Sequence, residues 1–399
     1  MSSRAHSSAF EADYGFARSD VRLDNWRQAP WNVWAFRHVS ELIPTARIAA
    51  TPGLIEDDPS VDAGDLIKQT FSIDGEIATI EDVLRRTSTD ALVVMKSGRV
   101  VADYHAPNFT AQSRHILFSA SKSVTSIVAG ILYSDGLIDF DETVSHYVPE
   151  LKSSAYSDAS LRDVLDMRVS LDFEETYQDP RGDFARYRRA GLLEPSVPGD
   201  TPDSLIVFLA SLQKGAGDHG GPFHYCSPNS DVLGLVIERA SGQRFADFAA
   251  ARLWQPLGAR QDAYITVDAI GSARTGGGFC MTPRDLARIG EMMRLGGIAN
   301  GRRIVAQDWV SDTITNGSAE AWRAGKFVEW LPEGRYRNKW YQTGNASGAF
   351  FALGIHGQYL YVNPRAEMVV AKFSSQPEPV DNNLKRLNLA LFDTLARLY

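Results

Sequence analysis

Cysteine is nearly absent: Cys226 and Cys280 are the only two in 399 residues. Two thiols are too few for a disulfide scaffold or for a structural zinc site built on cysteines, so both are expected to be free. No apolar run approaches the roughly 18 residues that a membrane-spanning helix needs. Met1 to Asp20 holds no hydrophobic leader segment, and the chain is therefore expected to be cytoplasmic, with no membrane partner. Basic excess is missing as well. With 41 Lys and Arg against 49 Asp and Glu, the formal charge is -8, which argues against nucleic acid as a partner. The eight histidines show no His-Glu-x-x-His or similar ligand spacing, so neither a metal nor a cofactor is expected. There is no internal repeat and no low-complexity segment.

What the chain does contain is enough apolar material, 44% of residues, for a large core and two intimately packed subdomains. It also contains Ser119-Ala120-Ser121-Lys122 at the head of an apolar stretch with Val124, Ile127, Val128, Ile131 and Leu132. Positions three apart share a helix face, so the Ser119 hydroxyl and the Lys122 amine come within hydrogen-bonding reach. A serine is a poor nucleophile at neutral pH. A lysine can deprotonate it only if burial lowers the amine's pKa, and these neighbours provide that burial. The bare four-residue motif arises often by chance, and its context raises its weight: Ala91 to His105 is two β-rich runs around Ser97-Gly98, a hairpin that delivers the chain towards the Ser119 helix.

The surrounding pattern is mixed α and β. Residues 24–49 are expected to form a partly helical, tryptophan-rich extension. Short helices are expected over 160–167 and 201–213, and a longer one over 228–240. Strands are expected over 263–267, 358–362 and 368–373, followed by an amphipathic closing helix over 382–399. The resulting expectation is an α/β (α+β) fold in which one antiparallel sheet is flanked by helices from both chain ends, with an inserted all-helical subdomain. The boundaries are an extension over 1–80, an α/β part over 81–140 and 255–399, and a mainly helical part over 141–254, with the active site between the last two.

Tyr225, just before the helix from Pro228, adds a third reactive group in the order Ser-x-x-Lys then Tyr. With it the chain resembles the penicillin-recognising serine hydrolases, which include class C β-lactamases, DD-peptidases and carboxylesterases. The glycine-rich Thr275-Gly276-Gly277-Gly278 turn and the Leu353-Gly354-Ile355-His356-Gly357 edge strand fit the same family. Stretches such as Asp24-Asn25-Trp26-Arg27, Glu175-Thr176-Tyr177-Gln178-Asp179-Pro180 and Tyr341-Gln342-Thr343-Gly344 resemble the subfamily of 6-aminohexanoate-dimer hydrolases, amidases of linear nylon oligomers. Most of the chain takes part in this likeness.

The resemblance implies roles. Ser119 attacks the carbonyl, uncharged Lys122 takes its proton, and Tyr225 passes a proton to the leaving group, given a phenol pKa depressed by lysine charge. The backbone N–H groups of Ser119 and Ile355 match the oxyanion donors. Tyr177, Gly354 and Ser227 match positions that line the substrate cleft. A small-molecule amide or ester is the implied partner, and a homodimer is compatible with the resemblance. The alternatives are a carboxylesterase without useful amidase activity, or a β-lactamase-like, DD-peptidase-like or non-catalytic sensor protein on the same scaffold.

Several positions depart from the wider pattern. Ser227 stands where an asparagine is usual two residues after the tyrosine or serine, and Ala352-Leu353-Gly354 replaces a cation-bearing edge strand, which weakens a β-lactam reading. Arg274-Thr275-Gly276 mimics that motif but lies in the glycine-rich turn. Where the dimer hydrolases place acidic side chains near the cleft, this chain carries Arg186-Tyr187-Arg188-Arg189, with Asp183 nearby. His224 and His356 flank proposed site residues without a Gly-x-Ser-x-Gly elbow and are expected to be structural. Trp26, Trp31 and Trp34 are expected in the core, and a packed aromatic is the competing reading for Tyr177.

Overall fold

The computed structural model describes residues 9–53, 61–73 and 75–399; residues 1–8, on which part of the leader argument rests, lie outside them. Its centre is a seven-stranded antiparallel sheet made of β1 (Thr89–Lys96), β2 (Arg99–His105), β3 (Arg335–Arg337), β4 (Trp340–Gln342), β5 (Phe350–Gly354), β6 (Gln358–Asn363) and β7 (Met368–Ser374). The spatial order is β3-β4-β5-β6-β7-β1-β2, so the early hairpin joins the late strands through the β7 and β1 pairing. Ser97 (φ 48°) and Gly98 (φ 80°) form the hairpin turn, both in the left-handed region that a tight two-residue turn requires.

β1 is continuously apolar because both sheet faces are covered. Ala91, Val93 and Met95 point into one core, Leu92 and Val94 into the other. Helix α1 (Ser121–Ser134) is buried along almost its whole length, and α2 (Pro228–Ser241) packs beside it. Helix α3 (Pro283–Arg294) lies on the face of β6 and β7. A Cβ at Gly290 would fall 2.5 Å from Val369 Cγ1 and 2.8 Å from Leu360 Cδ1, so glycine is what allows this close approach. Helix α4 (Asn382–Leu398) covers the opposite face with Leu387, Leu391, Phe392 and Leu395.

The structure departs from the sequence expectation in the sheet. Ala263–Thr266 does not join the large sheet; it pairs with Thr45–Ile48 and Phe279–Met281 in a second, four-stranded sheet completed by His115–Ile116. The 201–213 helix shrinks to Leu205–Ser211, because Ser204 caps it by accepting from Val207 N. In the extension, Trp26 and Trp34 are buried and Trp31 is half-buried, and none of the three lines the cavities described below. Among the described residues no helix is long and apolar enough to cross a membrane.

Candidate active site

Ser119 sits in the turn Phe118–Ala120, immediately before α1. The preceding Phe118 is held at φ 44°, a left-handed conformation costly for an aromatic residue, between the rings of Trp26, Phe36 and His356. One turn on, Lys122 is 1% exposed, and its Nζ lies 2.8 Å from Ser119 Oγ. The amine also donates to the Gly276 carbonyl at 2.6 Å. Burial lowers the Lys122 pKa to about 8, against the opposing pull of the Glu175 carboxylate, with Arg274 assisting and Asp231 opposing. At pH 7 about a tenth of the lysine is then neutral.

Gly276 is held in place from behind. Its N–H donates to Asp231 at 2.7 Å, and Asp231 also accepts from the Tyr187 hydroxyl. A Cβ on Gly276 would lie 2.9 Å from Tyr187 Oη and 3.1 Å from the Ser227 carbonyl, so the turn that presents the lysine's acceptor requires glycine.

Tyr225 lies beside Ser119 and Tyr341, and its ring lies 5.1 Å from Lys122 Nζ and stacks on Phe327. The expected depression of its pKa is not found. Burial, and then the charge of Glu175, push the phenol well above its ordinary value, so Tyr225 is a neutral hydroxyl.

Ile355 and Gly354 close the other side of Ser119. β5 ends at Gly354, where a Cβ would fall 2.2 Å from the Leu117 carbonyl; only glycine lets the strand pass the turn that carries Ser119. The Ile355–Gly357 turn is pinned by His356 N to the Pro379 carbonyl, by His356 Nδ1 at 2.7 Å from the Gln376 carbonyl, and by Gln358 Nε2 to the Ile355 carbonyl. His356 is thus committed to the scaffold, and burial lowers its pKa to about 4. His224 Nε2 lies 3.5 Å from Cys226 Sγ, and both cysteines are free and buried.

Glu175 had no role assigned from the sequence. Its Oε1 accepts from the Tyr177 hydroxyl at 2.7 Å and its Oε2 from Ser227 N at 2.9 Å, tying two expected cleft residues to one carboxylate. The signal was a carboxylate two positions before Tyr177, which gains meaning only once the loop is folded against α2. Tyr177 also packs edge-on against Phe184 at 4.9 Å.

Two cavities of about 600 Å³ each share Ser119, Glu175, Tyr177 and Ile355. One is walled by aromatic side chains including Phe223, Tyr225, Phe327, Trp330 and Tyr341. The other holds Ser227, Gly276, Arg27, Arg188 and Arg274. Of the Arg186–Arg189 run only Arg188 lines this cavity; Arg189 pairs with Asp200, and Arg186 with Asp183 and Asp200. The serine therefore sits where an apolar and a charged compartment join, accessible to an extended molecule with two unlike arms.

Residues 77–393 match the family model described as Beta-lactamase. The chain is 39% identical to the 6-aminohexanoate-dimer hydrolase of Paenarthrobacter ureafaciens over 92% of its own length and 91% of that protein's. It is 25% identical to the lovastatin esterase of Penicillium rubens over 44% of its length and 49% of the esterase. Among solved structures, a Bacillus anthracis protein provisionally assigned as a 6-aminohexanoate-dimer hydrolase superposes with a TM-score of 0.87 at 24% identity, covering 95% of this chain and 97% of that one. The likeness is one of fold, shared more distantly with a family VIII carboxylesterase (TM-score 0.60, 15% identity, 84% and 99% coverage). With four-fifths of its length inside the family model and a curated relative matched almost end to end, this chain is a serine-hydrolase member of the beta-lactamase family.

Proposed function

We propose that the protein hydrolyses linear amides of the 6-aminohexanoate-oligomer type, and carboxylic esters, through an acyl-enzyme on Ser119. The observation that carries this reading is the 2.8 Å approach of Lys122 Nζ to Ser119 Oγ at the junction of two open cavities, with the Tyr225 ring 5.1 Å from the same amine. The 39% identity to an enzyme named for 6-aminohexanoate dimer supports the substrate class.

In the proposed reaction neutral Lys122 accepts the Ser119 proton as Oγ bonds to the carbonyl carbon. The tetrahedral oxyanion is held by the N–H groups of Ser119 and Ile355. Tyr225 gives its proton to the leaving nitrogen or oxygen as the bond to carbon breaks, and the Lys122 ammonium restores the phenol in the same movement. Because Tyr225 is neutral, no free phenolate is needed. Water then attacks the acyl carbon along the same proton path, releasing Ser119. Tyr177 and Ser227 line the cleft, with Glu175 fixing both. A cytoplasmic location, a homodimer, and an active site between residues 141–254 and the α/β part belong to the same proposal, supported by the sequence and the resemblance.

An esterase without amidase activity uses the same residues, and the lovastatin esterase likeness is what favours it as a second reading. The test is release of new amine ends from 6-aminohexanoate dimer beside hydrolysis of p-nitrophenyl acetate, with Ser119→Ala as the blank. Serine-dependent amine release supports the amidase. Ester hydrolysis alone makes the protein an esterase, and no Ser119-dependent turnover of either overturns the proposal.

A further inference from the structure

The second cavity is lined by three arginines and four carboxylates, and of the carboxylates only Glu194 pairs with these arginines. Arg27 Nη2 and Arg188 Nε both contact the same Glu194 Oε1, at 2.5 and 2.6 Å, so one carboxylate serves two cations. Arg274, 5% exposed, lies over the Tyr187 ring with its Cζ 4.9 Å from the centroid, and its Nε has no hydrogen-bond partner. Arg274 owes its place to missing side chains: a Cβ on Gly277 would fall 2.9 Å from its Nη1, and one on Gly191 2.8 Å from its Cδ. The three cations feel one another. Burial, then the charge of Arg188, lowers the Arg27 pKa to about 10, with Arg274 contributing further.

Among the described residues, none of the other acidic groups around them makes an ion pair with these arginines. Glu175 accepts from Tyr177 and Ser227. Asp231, behind the glycine turn, accepts from Gly276 N and Tyr187, offsetting part of Arg274's charge without hydrogen-bonding its Nε. Asp24 and Glu378 are exposed at the rim, Asp24 paired with Arg22. A buried, unpartnered guanidinium costs free energy that an incoming anion recovers, and the planar fork suits a carboxylate.

We propose that Arg274, with Arg188 and Arg27, forms a carboxylate subsite beside Ser119, so that the preferred substrate is an amide or ester with an anionic arm in this compartment. This rests on the Ser119 hydrolase reading and narrows it. A zwitterionic oligomer sets its carboxylate end here and its ammonium end outside.

The test uses two matched series with the full chain. The acyl series is the mono-4-nitrophenyl ester of pimelic acid and the 4-nitrophenyl esters of heptanoic and 6-aminohexanoic acids; the leaving-arm series is hexanoyl amides of 6-aminohexanoate, hexylamine and 1,5-diaminopentane. On one of the two arms the carboxylate form is expected to exceed the methyl form in kcat/KM by about tenfold or more, with the ammonium form lowest. That ratio is expected to fall towards one in Arg274→Gln and in Arg188→Gln, and to be partly kept in Arg274→Lys. Should the buried variants misfold, the half-buried Arg27→Gln gives the same readout. Equal rates for carboxylate and methyl forms on both arms, an ammonium preference, or an unchanged ratio in the variants would overturn the subsite. Calorimetric titration with adipate needs no turnover and separates the two readings. Binding that is lost in Arg274→Gln supports the subsite even if Ser119 turns nothing over, and absence of binding counts against it.

Discussion

Replacing Lys122 with methionine tests the base assignment through stability as well as rate. In the folded protein the amine titrates near 8, against 10.5 for a free lysine. Between those values the unfolded chain holds a proton that the native chain has released, so wild-type stability rises with pH across this window. The destabilisation caused by burying the amine is therefore complete below about pH 8 and relieved by about pH 10.5. Linkage puts the relief between pH 7 and pH 10 at about 2.5 kcal/mol. Lys122→Met has no group to titrate. It loses the contacts to Ser119 and Gly276, about 1 kcal/mol each, and that loss is the same at both pH values. The difference in melting temperature between mutant and wild type is thus expected to shift by roughly 3 °C in favour of wild type from pH 7 to pH 10, for a chain of 399 residues. Differential scanning calorimetry measures it. Wild-type kcat/KM for p-nitrophenyl acetate is expected to rise about tenfold per pH unit below 8 and to level above it, while the mutant is inactive. A melting difference independent of pH would mean that the amine keeps its ordinary pKa and stays charged to about pH 10, and the base assignment would fail with it.

Tyr225→Phe is expected to slow amide cleavage by about 10²-fold or more, and p-nitrophenyl ester cleavage much less, because that leaving group needs little protonation; equal losses on both would remove the proton-donor role. Glu175→Gln removes the largest charge raising the Lys122 pKa, so the inflection in the kcat/KM profile is expected to move to lower pH, and an unmoved or raised inflection would contradict the electrostatics. Gly354→Ala puts a methyl 2.2 Å from the Leu117 carbonyl, forcing the edge strand off the nucleophile turn; about a 10²-fold loss of kcat with the protein still folded is expected, and near-normal turnover would show that Ile355 need not stand where it does.

The hairpin, the closing helix and the order Ser119, Lys122, Tyr225 were legible because each is written in local pattern: alternation, a tight Ser-Gly turn, an i,i+3 spacing. The four-stranded sheet was not. Its edge strand Thr45–Ile48 pairs with Ala263–Thr266 more than two hundred residues away, and Phe279–Met281 and His115–Ile116 are so short that nothing local distinguishes them from loops. Glu175 was hidden for the same reason, since its worth lies in Ser227 N, 52 residues away. The Tyr225 pKa departs from expectation because burial and the Glu175 carboxylate outweigh any pull from the nearby lysine. Burial of the whole cluster decides the matter instead, and burial cannot be read from neighbours in the chain.

That burial acts in opposite directions on the two groups that flank Ser119, and the division of labour follows. Desolvation disfavours whichever form is charged, so it lowers the Lys122 pKa and raises that of Tyr225. An ammonium beside a phenolate is the costly state of this pair; burial shifts it towards a neutral amine beside a neutral phenol, the form that becomes dominant above about pH 8. Lysine is then the group able to accept the Ser119 proton, and tyrosine the group able to give one. A tyrosinate base would require Tyr225 to ionise against both burial and the Glu175 carboxylate. Glu175 stands at the balance point of this arrangement: its charge keeps Lys122 from falling further and Tyr225 from ionising, while its two oxygens fix Tyr177 and Ser227 in the cleft. One half-buried carboxylate thus bears on the protonation of Lys122 and Tyr225 and on the placing of Tyr177 and Ser227, and a change there is felt in both.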